Sequence, residues 1–267
     1  MDLLVEHDIA VDPIRIGGAG LVVRDLTATL AFYRDAIGLD VIENEAGRAL
    51  LGAGGAGFLE LLHRPDAPPD DPREAGLFHI AFLMPSRADL ADWMTHVAAH
   101  RVRLDGASDH AVSEAIYLSD PEGNGVEVYA DRPRASWRWE GDQVVMTTLR
   151  LDLEALLAER TADGWRGAPA LSRIGHVHLR VGDVARASAF WTGEVGLDLV
   201  RAMPSAAFLS SGGYHHHIAA NVWRSAGAAA RDSLRAGLAY VRLDAAGPAR
   251  AVTDPWGTEI RLGSAPS

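Results

Sequence analysis

One structural unit recurs four times along this chain, and that recurrence limits the fold more than any other feature of the sequence. Residues 18–43 (GAGLVVRDLTATLAFYRDAIGLDVIE) and 175–201 (GHVHLRVGDVARASAFWTGEVGLDLVR) share one layout. An alternating strand runs into an Asp, an amphipathic helix with an aromatic pair follows, and Gly-Leu-Asp leads to a second strand. The Asp suits a helix N-cap and the Gly a helix stop. Two more strand-like runs follow each, RALLGA and GFLELL in the first, AAFLSS and HHHIAANVW in the other. The unit therefore reads βαβββ. A second pair begins at 76–100 (GLFHIAFLMPSRADLADWMTHVAAH) and 237–243 (GLAYVRL). The latter reaches its closing strands without a helical stretch, so the fourth repeat is truncated.

The expected fold class is α+β, with four βαβββ modules paired into curved mixed sheets around a cavity that can hold a metal. The expected division is a first domain at 1–132 holding repeats one and two, a linker at 133–172, and a second domain at 173–267 holding repeats three and four. Trp137, Trp139 and Trp165 would anchor the linker on the domains. The Pro- and Asp-rich stretch at 63–76 also reads as a linker.

Side chains alternate faces along a strand, which sorts the candidate site residues. Phe78, Ile80 and Phe82 would pack under a helix and leave His79 facing the cavity. Val177, Leu179 and Val181 would pack likewise, leaving His176, His178 and Arg180 inward. Glu127 projects inward between two packed valines, and a charge so placed needs a partner or a metal. Ligand positions are rich in repeats two and three, where His79, Glu127, His176 and the triplet His215, His216 and His217 fall. They are poor in repeats one and four, with Gly18, Tyr240 and Arg261; Glu60 reads as an ion-pair partner. If repeats two and three face one cavity, His79, His176 and Glu127 form a 2-His-1-carboxylate set with open positions, suited to Fe(II) and dioxygen. If repeats one and two pair instead, His79 and Glu127 are parted from His176.

The chain of 267 residues carries a net charge of -11, and its basic residues are all arginine. An acidic chain without basic clusters argues against nucleic acid or an anionic membrane as a partner. With no Cys, a metal must sit on His, Asp, Glu or Tyr. No apolar run reaches membrane-spanning length and no signal-peptide pattern opens the chain, so a cytoplasmic location is expected. Strand edges near the shortened fourth repeat point to a homo-oligomer.

The segment from His110 through Ile116, Tyr117, Asp120, Pro121 and Gly123 to Glu127 resembles the extradiol signature of the vicinal-oxygen-chelate superfamily. That superfamily joins glyoxalases, bleomycin-resistance proteins and extradiol dioxygenases. Ser108 departs from the signature's first, loosely defined position. The Gly-His-Val-His-Leu and Tyr-His-His-His-Ile runs extend the likeness to bacterial catechol 2,3-dioxygenases with two modules per domain. The resemblance implies Fe(II), with Mn(II) as the alternative, on His79, Glu127 and His176. It implies a small aromatic diol and dioxygen as substrates, with ring cleavage through a lactone to a semialdehyde. It also implies an acid–base histidine at the triplet. Strand alternation favours His215 and His217 for that role, and alignment on the following Ile-Ala favours His216. Tyr117 and His110 would bind and position the substrate, with His178 beside them. Two other readings share the fold: a glyoxalase-like metal-dependent lyase or isomerase, and a non-catalytic small-molecule binding protein.

Overall fold

The computed structural model describes residues 12–264, and its elements follow the repeats. Repeat one supplies β1 (Ile14–Val23), α1 (Leu26–Asp35), β2 (Asp40–Glu45), β3 (Arg48–Ala53) and β4 (Ala56–His63). Repeat two supplies β5 (Gly76–Met84), α2 (Arg87–Ala99), β6 (Gly106–Asp109), β7 (Ser113–Ser119) and β8 (Gly125–Asp131). The connection holds the short strands β9 (Trp139–Glu140), β10 (Gln143–Val144) and β11 (Leu149–Arg150), then α3 (Leu153–Leu157). Repeat three supplies β12 (Arg173–Arg180), α4 (Val184–Phe190), β13 (Asp198–Met203), β14 (Ala206–Ser210) and β15 (Ile218–Asn221). Repeat four has only strands, β16 (Gly237–Ala245), β17 (Arg250–Thr253) and β18 (Glu259–Gly263).

Local chemistry sets the helix limits. Asp25 and Asp183 cap α1 and α4 by accepting from Ala28 N and Arg186 N, and Ser86 caps α2 through Asp89 N. Gly38 and Gly196, each opening a Gly-Leu-Asp, take φ of 84° and 89°, left-handed values that suit glycine and end the helical run.

The strands form two large mixed sheets and one small hairpin. Repeats one and four share a seven-stranded sheet, in the order β17-β18-β16-β1-β4-β3-β2. Repeats two and three share a nine-stranded sheet, in the order β11-β6-β7-β8-β5-β12-β15-β14-β13. Each sheet thus draws on both sides of the 133–172 connection, and the pairing left open by the sequence is two with three. Both centres repeat one pattern. An antiparallel pair, β1 with β16 or β5 with β12, is flanked by parallel partners. Ile80, Phe82, Val126, Val128, Val177, Leu179 and Val181 lie in the main core, as alternation requires.

In the connection, Trp137 is buried beside Val112, Val144 and Tyr214, and Trp165 packs on the main core. Trp139, expected to anchor as well, is 39% exposed. Arg180 departs from the alternation argument. Its guanidinium donates to Leu77 O at 2.6 Å, Glu74 O at 3.0 Å and Asp70 Oδ2 at 2.6 Å, so it fastens the 63–76 stretch instead of facing the cavity. Among the described residues no helix is long and apolar enough to cross a membrane.

Candidate metal centre and active site

Sheet register brings three donors to one point. Ala81 on β5 lies opposite His176 on β12 and beside Glu127 on β8, while His79 pairs with His178. The small Ala81 side chain leaves the space into which His79, His176 and Glu127 reach. His79 Nε2 lies 3.0 Å from Glu127 Oε2 and 3.3 Å from His176 Nε2, and His176 Nε2 lies 3.3 Å from Glu127 Oε2. An octahedral ion about 2.1 Å from each donor holds neighbouring donors about 3.0 Å apart, and a tetrahedral one about 3.4 Å apart. The observed spacings fall in that span, so the donors fit a divalent ion.

Charge agrees with geometry. Burial pushes the His176 imidazole down to about 4, against the pull of Glu127. Burial would raise Glu127, but His176 and His79 beside it hold its carboxyl well below the usual range. His176 thus offers a neutral nitrogen and Glu127 an anionic oxygen, the forms that bind metal.

Two bulges shape this floor. The β5–β12 register skips Gly175 and Phe78. A Cβ on Gly175 would stand 1.9 Å from the Tyr129 hydroxyl, so glycine is required there. The second bulge turns Phe78 as well as His79 toward the cavity, so Phe78 is not in the layer under the helix.

The cavity encloses about 490 Å³, with the metal-ligand candidates at its base and Phe78, Phe208, Met146, Met203 and Trp223 in its walls. Tyr117 sits directly across from Glu127 on the neighbouring strand. Its hydroxyl lies 2.6 Å from His110 Nε2, and His110 Nδ1 lies 2.6 Å from the Thr147 carbonyl. A carbonyl only accepts, so Nδ1 carries the proton; in the neutral ring Nε2 then accepts from Tyr117. The Tyr117 oxygen keeps lone pairs for a ligand. Burial first, and then the Glu127 charge, raise the Tyr117 phenol well above its usual value and keep it protonated. His178 also lines the cavity, and its Nε2 is buried with no hydrogen-bond partner among the described residues.

The histidine triplet does not occupy the ligand register of repeat three. That register, equivalent to Glu127, falls on Ala219, paired with His178. The triplet ends the loop before β15, so strand alternation does not govern it. Of the three, His216 lines the cavity, its ring 4.1 Å from that of His176. His215 is fully buried, with Nε2 2.9 Å from Asp131 Oδ1 and Nδ1 2.7 Å from His216 Nδ1. His217 turns away: its Nδ1 accepts from Ser211 N at 3.3 Å, and Nε2 lies 3.6 Å from Asp12.

Repeats one and four hold no comparable set at the matching positions. Glu60 accepts from Tyr240 at 2.7 Å and pairs with Arg48, while Gly18 pairs with Arg242. The sequence reading missed Met146, Thr147 and Thr148 from the connection and Arg201 from β13, all in the cavity wall. Thr147 acts on His110 through a backbone carbonyl, which no side-chain pattern announces.

Comparison with known proteins agrees with this architecture. The family described as Glyoxalase/Bleomycin resistance protein/Dioxygenase superfamily matches residues 15–128 and 173–244. A catechol-2,3-dioxygenase of Bacillus subtilis (strain 168) is 41% identical over 230 residues, 84% of this chain and 80% of that protein. A solved putative dioxygenase from Bacillus subtilis superposes with a TM-score of 0.61 at 13% identity, covering 97% of this chain and 87% of its own. Glyoxalase I from Zea mays superposes with a TM-score of 0.59 at 17% identity, covering 94% and 92%. Identities that low speak for the fold alone. The family match, spanning both halves of the nine-stranded sheet and the three converging donors, shows that the chain belongs to the glyoxalase/bleomycin resistance protein/dioxygenase superfamily.

Proposed function

We propose that the protein is an extradiol dioxygenase that uses Fe(II), or Mn(II) in its place, to open a catechol-type ring beside its diol with dioxygen. The convergence of His79, Glu127 and His176 at 3.0–3.3 Å carries the reading. The 41% identity to a catechol-2,3-dioxygenase supports it. When bound there, such an ion supplies chelation of the diol and electron exchange with dioxygen. A single carboxylate matters. Ala219 stands where a second one would compete for an open position, an arrangement that favours ring cleavage over the lyase or isomerase reading.

The chain's own groups then have defined tasks. Asp131 accepts from His215 Nε2; with both rings neutral, His215 Nδ1 accepts from His216 Nδ1. That leaves His216 Nε2 free to take a phenolic proton and return it later. Burial first, and the neighbouring His176 and His215 next, hold His216 well below its usual pKa, so it enters the reaction neutral. Tyr117, oriented by His110, accepts a hydrogen bond from the substrate. Phe78, Phe208 and Trp223 bury the ring and exclude water.

The test is to load purified protein anaerobically with Fe(II), then add catechol and air. Oxygen uptake matched by a yellow ring-opened product is expected. No uptake with catechol, 4-methylcatechol or 3,4-dihydroxyphenylacetate, with iron bound, would contradict the proposal.

A further inference from the structure

We propose that the substrate is a catechol carrying a carboxylate on a side arm, and that Arg201 receives that carboxylate. The diol end of this inference rests on the dioxygenase reading above; the acid end rests on the cavity wall opposite the candidate metal ligands.

Arg201 is the one arginine lining the cavity among the described residues. It is half-buried, and no hydrogen bond, ion pair or ring contact engages it among those residues. Neighbouring arginines differ: Arg132 pairs with Asp109 and Glu114, and Arg134 with Asp12. Phe208, Met203 and Trp223 share that wall, none carries a negative charge, and among the described residues neither aromatic ring stacks on the Arg201 guanidinium. A cation drawn partly out of water beside apolar groups gains most from an anion that arrives with a ligand.

The backbone directs it there. The β13–β14 register passes from Leu199↔Leu209 to Arg201↔Phe208, so Val200 is an extra residue in a bulge. Val200 is thereby buried beside Trp137, Val144 and Tyr214, and Arg201 shares the cavity face with Phe208. Gln143 from β10 braces the bulge, donating to Leu199 O at 3.4 Å and accepting from Ala202 N at 2.8 Å. Arg201 is therefore held on its strand by contacts that leave its guanidinium unused.

Reach defines the ligand. One row crosses the sheet through Arg201, Phe208, Ala219, His178 and His79. Four strand spacings put the Cα atoms of Arg201 and His79 at most about 19 Å apart, less across a curved sheet. The His79 imidazole and the arginine both extend inward from the two ends of that row. The gap left between them suits an aromatic ring plus a short acid arm on the side away from the diol. A planar guanidinium pairs with a carboxylate through two parallel hydrogen bonds, which also fixes the ring's orientation.

The experiment is anaerobic calorimetry on Fe(II)-loaded protein with 3,4-dihydroxyphenylacetate and, separately, its methyl ester. The two probes share the diol and differ in the acid. The acid is expected to bind about tenfold or more tighter, by an amount that shrinks at high salt. Arg201→Gln is expected to bring the ratio near one, with Arg201→Lys between. Equal affinities, binding of neither probe, or a preference that survives in Arg201→Gln would overturn the proposal. The wild-type comparison stands even if the variants fold poorly. Ring opening of plain catechol in air reports separately on the dioxygenase reading.

Discussion

Asp131 and His215 are joined by a 2.9 Å hydrogen bond whose direction is settled by the carboxylate, since only the imidazole Nε2 can donate. That single bond sets the tautomer of His215 and, through the 2.7 Å contact between the two Nδ1 atoms, the tautomer of His216.

Replacing Asp131 by Asn removes this bias, because an amide can also donate to Nε2. Asp131→Asn is expected to lower kcat for ring cleavage by about 10²-fold, with Fe(II) still bound. His216→Gln should lower it by a similar or larger factor, and His217→Gln should spare it. Steady-state kinetics with measured iron content distinguish these; equal losses in His216→Gln and His217→Gln would contradict the assignment.

Gly175 is the tightest point near the candidate metal ligands. In Gly175→Ala the new Cβ would meet the Tyr129 hydroxyl at 1.9 Å, and that hydroxyl is held 2.8 Å from Tyr214. The ring cannot retreat without losing its partner. Overpacking of this kind costs about 1–3 kcal/mol, which denaturant melts of the metal-free protein would measure. Iron affinity should fall too, because His176 is the next residue. Unchanged stability would show that the sheet yields there at no cost.

Acid stability depends on histidines that are buried neutral. Burial holds His217 below its usual pKa, outweighing the opposing pull of Asp12. Asp12 is itself lowered, because His217 and Arg134 outweigh its burial. Above pH 6.5 the His217 contribution is complete. As pH falls below 6.5 the unfolded chain takes up a proton that the folded chain refuses, so stability drops by up to about 1.4 kcal/mol per pH unit for this group. Asp12 adds a further loss once pH falls below about 3.8, its unfolded value, toward its lower folded one. Thermal melts of metal-free protein between pH 8 and 5 should show Tm falling below pH 6.5, less steeply in His217→Gln. Parallel curves would rule out this source.

Much of the site was legible in the sequence because period-two alternation is local. It places His79, Glu127 and His176 inward without reference to any other strand. The helix ends were legible for the same reason, through Asp25, Asp183, Gly38 and Gly196. What escaped depends on long-range partners. Pairing of β5 with β12 spans most of a hundred residues, and no local pattern encodes it. The bulges at Phe78 and Val200 exist only relative to a partner strand; the first reverses the facing that alternation gives Phe78, and the second sets the facing of Arg201, on which no local pattern bears. The triplet misled because its residues look like a strand yet end a loop, so only His216 reaches the cavity.

The central claim is that the nine-stranded sheet, and not its seven-stranded counterpart, holds the metal. Anaerobic equilibrium dialysis against Fe(II), with iron counted per chain, tests it most directly. One ion per chain is expected in the wild type, none in Glu127→Ala, and one in Glu60→Ala, whose carboxylate is engaged by Arg48 and Tyr240. Iron retained in Glu127→Ala, or lost in Glu60→Ala from a folded protein, would contradict the account.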